Sequence, residues 1–221
     1  MREVVLDTET TGLSPGSGHR IIEIGCIELV NHVATGRHFH KYINPERDIP
    51  GEATAIHGLT EEFLSDKPLF ADIAGEFEAF LGDAALVIHN AEFDLGFINA
   101  ELDKMGRPPL LAARATDTVV LARRKYPGAQ VSLDALCRRF QIDLSDRSLH
   151  GALKDARLLA EVYLELIGGR QRDLELSAEK QAALDPADQT RRPPRLHAPT
   201  ADEETAHARF LEKLDSPIWN A

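Results

Sequence analysis

An acidic segment directly after a buried strand constrains this chain more than any other feature. Residues 4–6 are apolar and read as the end of a strand, and residues 7–12 follow with the sequence DTETTG. Side chains alternate along a strand, so Asp7 and Glu9 point to the same face. Two neighbouring carboxylates repel unless a cation lies between them, and oxygen ligands suit hard ions such as Mg²⁺ or Mn²⁺. The segment predicts either a metal site or a solvated acidic strand end.

Two later segments carry further acids and a histidine at similar boundaries. The sequence HNAEFD at 89–94 follows a second apolar strand, and the sequence HGALKDA at 150–156 opens a late helix. Three ordered motifs, each at a strand or helix boundary, are a far stronger signal than one alone. Together they contribute Asp7, Glu9, Asp94, Asp155 and His150.

These motifs resemble those of the DEDDh family of 3′→5′ exonucleases, over about residues 4–167. The resemblance implies an α/β fold of the ribonuclease H-like, three-layer type, with a mixed five-stranded sheet flanked by helices. It also implies two divalent cations, Mg²⁺ or Mn²⁺, as cofactors. The residues implied as metal ligands are Asp7, Glu9, Asp94 and Asp155, with Asp7 bridging both ions. His150 is implied as the general base towards the attacking water.

The same resemblance implies a set of contacts to the terminal nucleotide. The residues implied are Thr8, Glu9, Thr10, Gly12, His57, Asn90 and Phe93. Phe93 would stack on or wedge against a base, although an aromatic residue at a helix start is nearly as compatible with core packing. His57 lies in a segment similar to the nucleotide pocket of proofreading relatives. A turn histidine bonded to the backbone is the equal alternative.

The hydrophobic pattern predicts the order of the elements. An antiparallel meander comes first, because the three leading strands are joined by short links. Helices and strands then alternate, which predicts a mixed sheet. The predicted strands are 2–8, 20–30, 37–43, 84–88 and 114–117. The predicted helices are 70–81, 93–105, 118–124, 132–140 and 149–167, with Ser148 as N-cap of the last.

Composition divides the chain after residue 169. Residues 1–169 are the predicted exonuclease domain. Residues 170–201 contain several prolines and almost no aromatic residues, so they are predicted to form a flexible linker. Residues 202–221 contain a predicted helix at 203–214 and the only tryptophan, Trp219. A tryptophan near the end of a tail favours a docking peptide over a tail that folds back on its own domain.

The resemblance to proofreading members of the family names the partners of this tail. It implies that residues 202–221 bind the catalytic subunit of a replicative DNA polymerase, and it allows a small accessory subunit as a further partner. Binding to a sliding clamp is doubtful, because residues 181–186 are a poor match to a clamp-binding peptide. The implied function is removal of mismatched 3′-terminal nucleotides.

The acidic composition limits how the chain can hold nucleic acid. Of the net charge of −11, residues 1–169 contribute −9 (17 Lys/Arg against 26 Asp/Glu) and residues 170–221 contribute −2 (8 against 10). Basic surfaces usually accompany nucleic-acid affinity. We therefore expect weak intrinsic binding to a single-stranded DNA 3′ end, and a partner that delivers the strand.

The remaining composition suggests where the chain works. No apolar run approaches the roughly 20 residues needed to span a bilayer, and the N-terminus does not resemble a signal peptide. We expect no membrane partner and a cytoplasmic, nucleoid-associated location. Cys26 and Cys137 lie in apolar patterns and are predicted to be reduced core residues.

Two other classes of protein stay open at this point. A free-standing DEDDh exoribonuclease would carry the same motifs, but the long linker and the tail with its tryptophan argue against it. A non-catalytic stabilising subunit would gain nothing from clustered carboxylates, which cost stability. Comparing activity on 3′-ribonucleotide and 3′-deoxyribonucleotide ends separates the first class from a proofreading enzyme.

Overall fold

The computed structural model describes residues 1–145, 149–169 and 198–213. The strands are β1 (Arg2–Thr10), β2 (Ile21–Val30), β3 (Val33–Tyr42), β4 (Ala85–Ile88) and β5 (Ala115–Asp117). The helices are α1 (Gly51–His57), α2 (Glu61–Leu64), α3 (Phe70–Leu81), α4 (Ala91–Lys104), α5 (Thr118–Lys125), α6 (Leu133–Phe140), α7 (Ala152–Leu166) and α8 (Ala201–Leu211). Short 3-10 turns lie at Pro15–Ser17 and Ala112–Arg114.

The five strands form one mixed sheet in the order β3-β2-β1-β4-β5. The pairs β1/β2 and β2/β3 are antiparallel, whereas β1/β4 and β4/β5 are parallel. β1 is central, and its alternating side chains supply both cores. Val4 and Leu6 pack with residues of α3 and α4, and Val5 packs with residues of α6 and α7. The predicted mixed sheet flanked by helices is confirmed.

The hairpin between β2 and β3 is tighter than predicted. The third strand begins at Val33 rather than at residue 37, because Val30 and Val33 pair directly across a two-residue turn. Asn31 and His32 in that turn both have positive φ angles, 51° and 65°. Such angles match the twist of the flanking strands. A histidine is an unusual choice for this position, so the turn was missed.

The start of the last domain helix also differs from the prediction. α7 begins at Ala152 and not at residue 149, since Gly151 is its N-cap with extended backbone angles. His150 therefore precedes the helix instead of lying in its first turn. Ser148, the predicted N-cap, lies outside the described residues.

Other elements agree with the prediction to within a few residues, with two omissions. α1 and α2 were not predicted, because helices of seven and four residues are too short to show an apolar period. Cys26 and Cys137 are free and buried, as predicted. Among the described helices, none has the length and apolar character that crossing a membrane requires.

The chain forms two compact units, residues 1–173 and 174–221. The sheet and α1 to α7 belong to the first. In the second, α8 begins at a capping box: Thr200 Oγ1 accepts from the Glu203 N–H, and the Glu203 carboxylate accepts from the Thr200 N–H. The predicted tail helix is confirmed, starting two residues early. Leu214, Trp219 and residues 181–186 lie outside the described residues.

Candidate active site

The first anchor of the site is the contact between β1 and α4. The Thr8 hydroxyl donates to Asp94 Oδ1 over 2.7 Å, and both side chains are buried. Asp94 lies in the first turn of α4, which follows β4 directly, and β4 is the parallel neighbour of β1. This hydrogen bond holds Asp94 beside the strand that carries Asp7 and Glu9. The predicted contact between the backbone of Thr8 and the substrate stays a prediction.

A carboxylate that was not predicted to be functional fixes the start of α4. Asp117 accepts from the backbone N–H groups of Asn90 and Ala91, at 3.2 Å each, and from that of Val119 at 2.8 Å. Asp117 thereby caps α5 and also holds Asn90, whose φ of 66° is left-handed. An acid as the last residue of a short strand was the available signal for this role.

The second anchor is the close approach of α7 to the sheet. Gly25 on β2 lies opposite Asp7 in the antiparallel register. A Cβ atom on Gly25 would collide with the backbone of Ala152 and Leu153. The first turn of α7 therefore rests on β2 beside Asp7, which places Asp155 in the site. Nothing in the sequence around Gly25 marks this contact, because it joins residues more than a hundred positions apart.

We predict that Gly25→Ala lowers nuclease activity by about 10–100-fold and the free energy of unfolding by about 1–3 kcal/mol. The added methyl group pushes the first turn of α7 from β2 and moves Asp155 away from Asp7. Turnover on a single-stranded oligonucleotide and thermal unfolding measure the two effects. Gly75→Ala, where the Cβ meets no atom within 4 Å, is the matched control. Equal activity of the two variants would contradict this account.

Three predicted site residues meet where α7 begins. One ligand atom each from Glu9, His150 and Asp155 can be chosen so that all lie within 4.8 Å of one another. His150 Nδ1 lies 3.1 Å from Asp155 Oδ2. The His150 side chain is 48% exposed and that of Asp155 is 5% exposed. The histidine therefore reaches solvent at the edge of the site, while the acid is embedded in it.

The carboxylates of the site destabilise one another. Burial raises the pKa of Asp7 well above its ordinary value, and the charges of Asp94, Glu9 and Asp155 raise it further. Burial also raises the pKa of Asp94 to about 7, against the opposing effect of its hydrogen bonds with Thr8. Acids held in this way gain from a bound cation, and a set of carboxylate oxygens suits hard divalent ions. The donor set thus fits a divalent metal.

A further buried acid lies behind these four. Glu23 pairs with Glu9 in the register of β1 and β2 and is 3% exposed. Its Oε1 atom lies 2.7 Å from His40 Nε2, within hydrogen-bond distance. Its charge also raises the pKa of Asp7. Sequence reasoning missed Glu23, because a single acid within an apolar strand shows no motif.

His57 makes the backbone contact expected of a turn histidine, and its predicted contact to the nucleotide stays a prediction. Its Nδ1 accepts the Leu59 N–H at 3.0 Å, as a turn histidine does. Its Nε2 is buried and has no hydrogen-bond partner among the described residues. Burial lowers the pKa of His57, so the ring is neutral and Nε2 carries the proton. A buried donor without a partner is costly, and a ligand oxygen would satisfy it.

The remaining predicted contacts lie along the edge of the site. Asn90 and Phe93 line a depression of about 290 Å³, together with Leu13, Pro15, Glu92, Gly96 and Phe97. Phe93 also packs against the core, with its ring centroid 5.0 Å from that of Phe97, and its predicted contact to a base stays a prediction. The Thr10 hydroxyl donates to the Gly12 carbonyl, and a Cβ on Gly12 would collide with the His19 ring. These two residues shape the loop after β1.

Comparisons with known proteins place this geometry in a family. The model of the family described as "Exonuclease" (RNase_T) matches residues 4–163. The chain belongs to this exonuclease family. It is 51% identical to DNA polymerase III subunit epsilon of Rickettsia conorii, over 97% of this chain and 96% of the relative. It is 49% identical to the protein of that name in Escherichia coli, over 76% and 72% of the two chains.

Solved structures show the same fold. Exonuclease X in complex with 5′ overhanging duplex DNA aligns with a TM-score of 0.60 and 27% identity, over 75% of this chain and 90% of that one. The nuclease domain of 3′hExo, a DEDDh family member bound to rAMP, aligns with a TM-score of 0.65 and 20% identity, over 77% and 94%. The predictions of a DEDDh fold and of a 3′→5′ exonuclease are confirmed, and the family implies divalent metal ions.

Proposed function

We propose that this chain removes mismatched 3′-terminal nucleotides for a bacterial DNA polymerase III. The observation that carries the proposal is the convergence of Asp7, Glu9, Asp94 and Asp155 around one end of β1, with His150 beside Asp155. The relatives named DNA polymerase III subunit epsilon support the choice of polymerase. The Salmonella typhimurium relative of that name aligns over all of this chain, the tail included, at 43% identity.

Two divalent cations, Mg²⁺ or Mn²⁺, complete the proposed site. Asp7, Glu9, Asp94 and Asp155 would hold them. When bound, the cations would offset the charge of the phosphate and activate the attacking water. Among the described residues, the potential ligands that meet here are carboxylates and one histidine, and neither cysteine belongs to the group. This set favours hard ions over zinc.

His150 is the proposed general base. Its contact with Asp155 orients the ring, so that Nε2 is the nitrogen that would take a proton from the attacking water. The half-exposed position of the ring allows the proton to pass on to solvent. The four acids are more deeply placed and are better suited to hold cations than to exchange protons.

The terminal nucleotide would lie between the loop after β1 and the start of α4. Backbone groups of Thr8, Glu9, Thr10 and Gly12 would contact it from one side. Asn90 and Phe93 would contact it from the other, at the depression that they line. The His57 Nε2–H group would donate a hydrogen bond to an oxygen of the nucleotide, which would satisfy this buried donor.

We expect the isolated protein to release 5′-mononucleotides faster from a mismatched 3′ end than from a paired one. Extracting a nucleotide from a duplex costs a few kcal/mol, and the cost is lower at a mismatch, which frays more readily. The acidic domain, with its net charge of −9, is expected to bind duplex DNA weakly. Labelled primer-templates with one terminal pair changed measure the rates. A single-stranded oligonucleotide is the control, and equal rates on both duplexes would contradict the proposal.

The tail provides the proposed link to the polymerase. Within its own unit, α8 buries none of its residues, and Phe210 is 55% exposed. An amphipathic segment of this kind can fold onto a partner at the end of a flexible linker. Tethering raises the local concentration of the nuclease at the primer end and offsets its weak affinity for DNA. A small accessory subunit is a further proposed partner, and the clamp is not.

Truncation after Gly169 is predicted to leave nuclease activity on free single strands within about two-fold and to abolish stable association with the polymerase catalytic subunit. In the full chain, Trp219→Ala should weaken that association by about 2 kcal/mol or more if the indole is a buried anchor. Gel filtration and titration with the catalytic subunit measure both. Phe80→Ala, in the nuclease domain, is a control for general loss of aromatic packing. Co-elution of the truncated chain with the polymerase would move the contact to the nuclease domain.

The cytoplasm, in association with the nucleoid, is the proposed location. It follows from the proposed polymerase partner and not from a targeting signal.

A further inference from the structure

We propose that Leu149 and Gly58 are positioning residues that hold the His150 loop against the end of α1. This inference rests on the proposed role of His150 as general base. No sequence signal connects α1, which was not predicted, with the late motif that contains His150. The structure joins them through one backbone hydrogen bond and one side-chain contact.

The backbone contact comes from the last turn of α1. The His150 N–H donates to the Ile56 carbonyl over 3.1 Å. The backbone of His150 is therefore held by a helix that lies about ninety positions earlier in the chain. Since Gly151 follows with extended backbone and α7 starts only at Ala152, no helical hydrogen-bond pattern holds His150 itself. The contact with Ile56 and the contact with Asp155 both contribute to its position.

The side-chain contact requires a glycine. Gly58 ends α1 in the left-handed conformation, with φ of 75° and ψ of 0°. A Cβ on Gly58 would lie 2.6 Å from Leu149 Cδ1. Glycine is thus needed twice, for the backbone angle and for the space that Leu149 fills. Leu149 is 46% exposed, so its side chain covers the turn without being part of either core.

The same turn carries the donor proposed to face the nucleotide. His57 lies between Ile56 and Gly58, and its unpartnered Nε2 is buried. His57 and His150 are close enough for the charge of His150 to lower the pKa of His57. The turn at residues 56–58 therefore carries His57, which is proposed to face the nucleotide, and also contacts the loop that contains His150. This arrangement fixes the base relative to the terminal nucleotide, and small misplacements of a catalytic group are costly.

The test is a double-mutant cycle between Leu149 and His150 in the full chain. We expect Leu149→Ala to lower kcat by about 10-fold, with KM for a single-stranded oligonucleotide and the Mn²⁺ midpoint within about two-fold of wild type. In the His150→Ala background the same change should have no further effect, because its action passes through His150. Leu149→Met, which keeps most of the volume, should restore kcat. Ile167→Ala, a similarly exposed aliphatic residue at the other end of α7, is the control.

A second pair of variants separates the contact from backbone strain. Gly58→Ala should lower kcat, because the new Cβ displaces Leu149 and the φ angle is unfavourable. Gly106→Ala carries the same strain at φ of 65° but has no atom within 4 Å of its Cβ, so it should keep wild-type kcat. Circular dichroism at the assay temperature shows whether each variant is folded.

Three outcomes would overturn the inference. Leu149→Ala could keep wild-type kcat, or it could lower kcat equally in both backgrounds, which would make its effect independent of His150. Gly58→Ala could also match Gly106→Ala in kcat. By contrast, a wild-type kcat for His150→Ala would reject the proposed base, on which this inference rests, and would assign activation of the water to another group. The two failures are therefore distinguishable in one set of measurements.

Discussion

Replacing Asp7 with Asn should remove nearly all nuclease activity, by about 10³-fold or more, while making the metal-free protein more stable. Asp7 is surrounded by Asp94, Glu9 and Asp155, and burial together with their charges raises its pKa well above the ordinary value. The native carboxylate is therefore kept for its ligand function at a cost in stability. An amide removes the charge that repels the neighbours and also removes a carboxylate proposed to hold the cations.

The pH dependence follows from the direction of these shifts. An acid whose pKa is raised in the folded state stabilises the fold below its unfolded pKa, and this contribution is lost as pH rises through the folded value. For Asp94 the window runs from about 4 to about 7. Metal-free wild-type protein should lose stability over that range. Asp94→Asn should lose less and be more stable by about 1–4 kcal/mol at pH 8.

Urea unfolding with EDTA, at several pH values, measures the stability of each variant, and a radiolabelled oligonucleotide assay measures activity. Added Mg²⁺ or Mn²⁺ should stabilise the wild type and have a much smaller effect on Asp7→Asn. Asp103→Asn removes an exposed acid on α4 and should change neither property. Full wild-type activity in EDTA would show that the carboxylates serve another purpose.

Replacing His150 with Ala should lower kcat by about 10²–10⁴-fold, with little change in metal affinity. The four carboxylates remain in place, so substrate and cations should still bind. What is lost is the group proposed to take the proton from the attacking water, which contacts Asp155 at 3.1 Å. The acidic limb of the pH–rate profile should change as well, because protonation of the base no longer limits the rate.

Steady-state kinetics between pH 6 and 9, with a titration of Mn²⁺ at each pH, measures this effect. His38→Ala is the matched control, since His38 is exposed on β3 and bonds only to the nearby Gly36 carbonyl among its described contacts. If His150→Ala keeps wild-type turnover over the whole range, another group activates the water. A loss of Mn²⁺ affinity as large as the loss of kcat would instead indicate that His150 is a metal ligand.

The sequence by itself determined the family, the chemistry and most of the elements. Asp7, Glu9, Asp94, Asp155 and His150 were found because each lies at a strand or helix boundary within a local motif. The strand and helix periods were also local, so α3 was predicted to the residue and most other elements within a few residues. These motifs and elements could be predicted because their signals lie in residues that are close together in the sequence.

Only the tertiary structure decided how those residues are held. Gly25 admits the first turn of α7, Thr8 binds Asp94, Asp117 fixes the start of α4, and the end of α1 holds the His150 loop. Each of these contacts joins positions far apart in the chain, and none has a periodic or compositional signature. The start of α7 at Ala152 had the same origin: packing of its first turn on β2, rather than intrinsic helix propensity, set where the helix could begin.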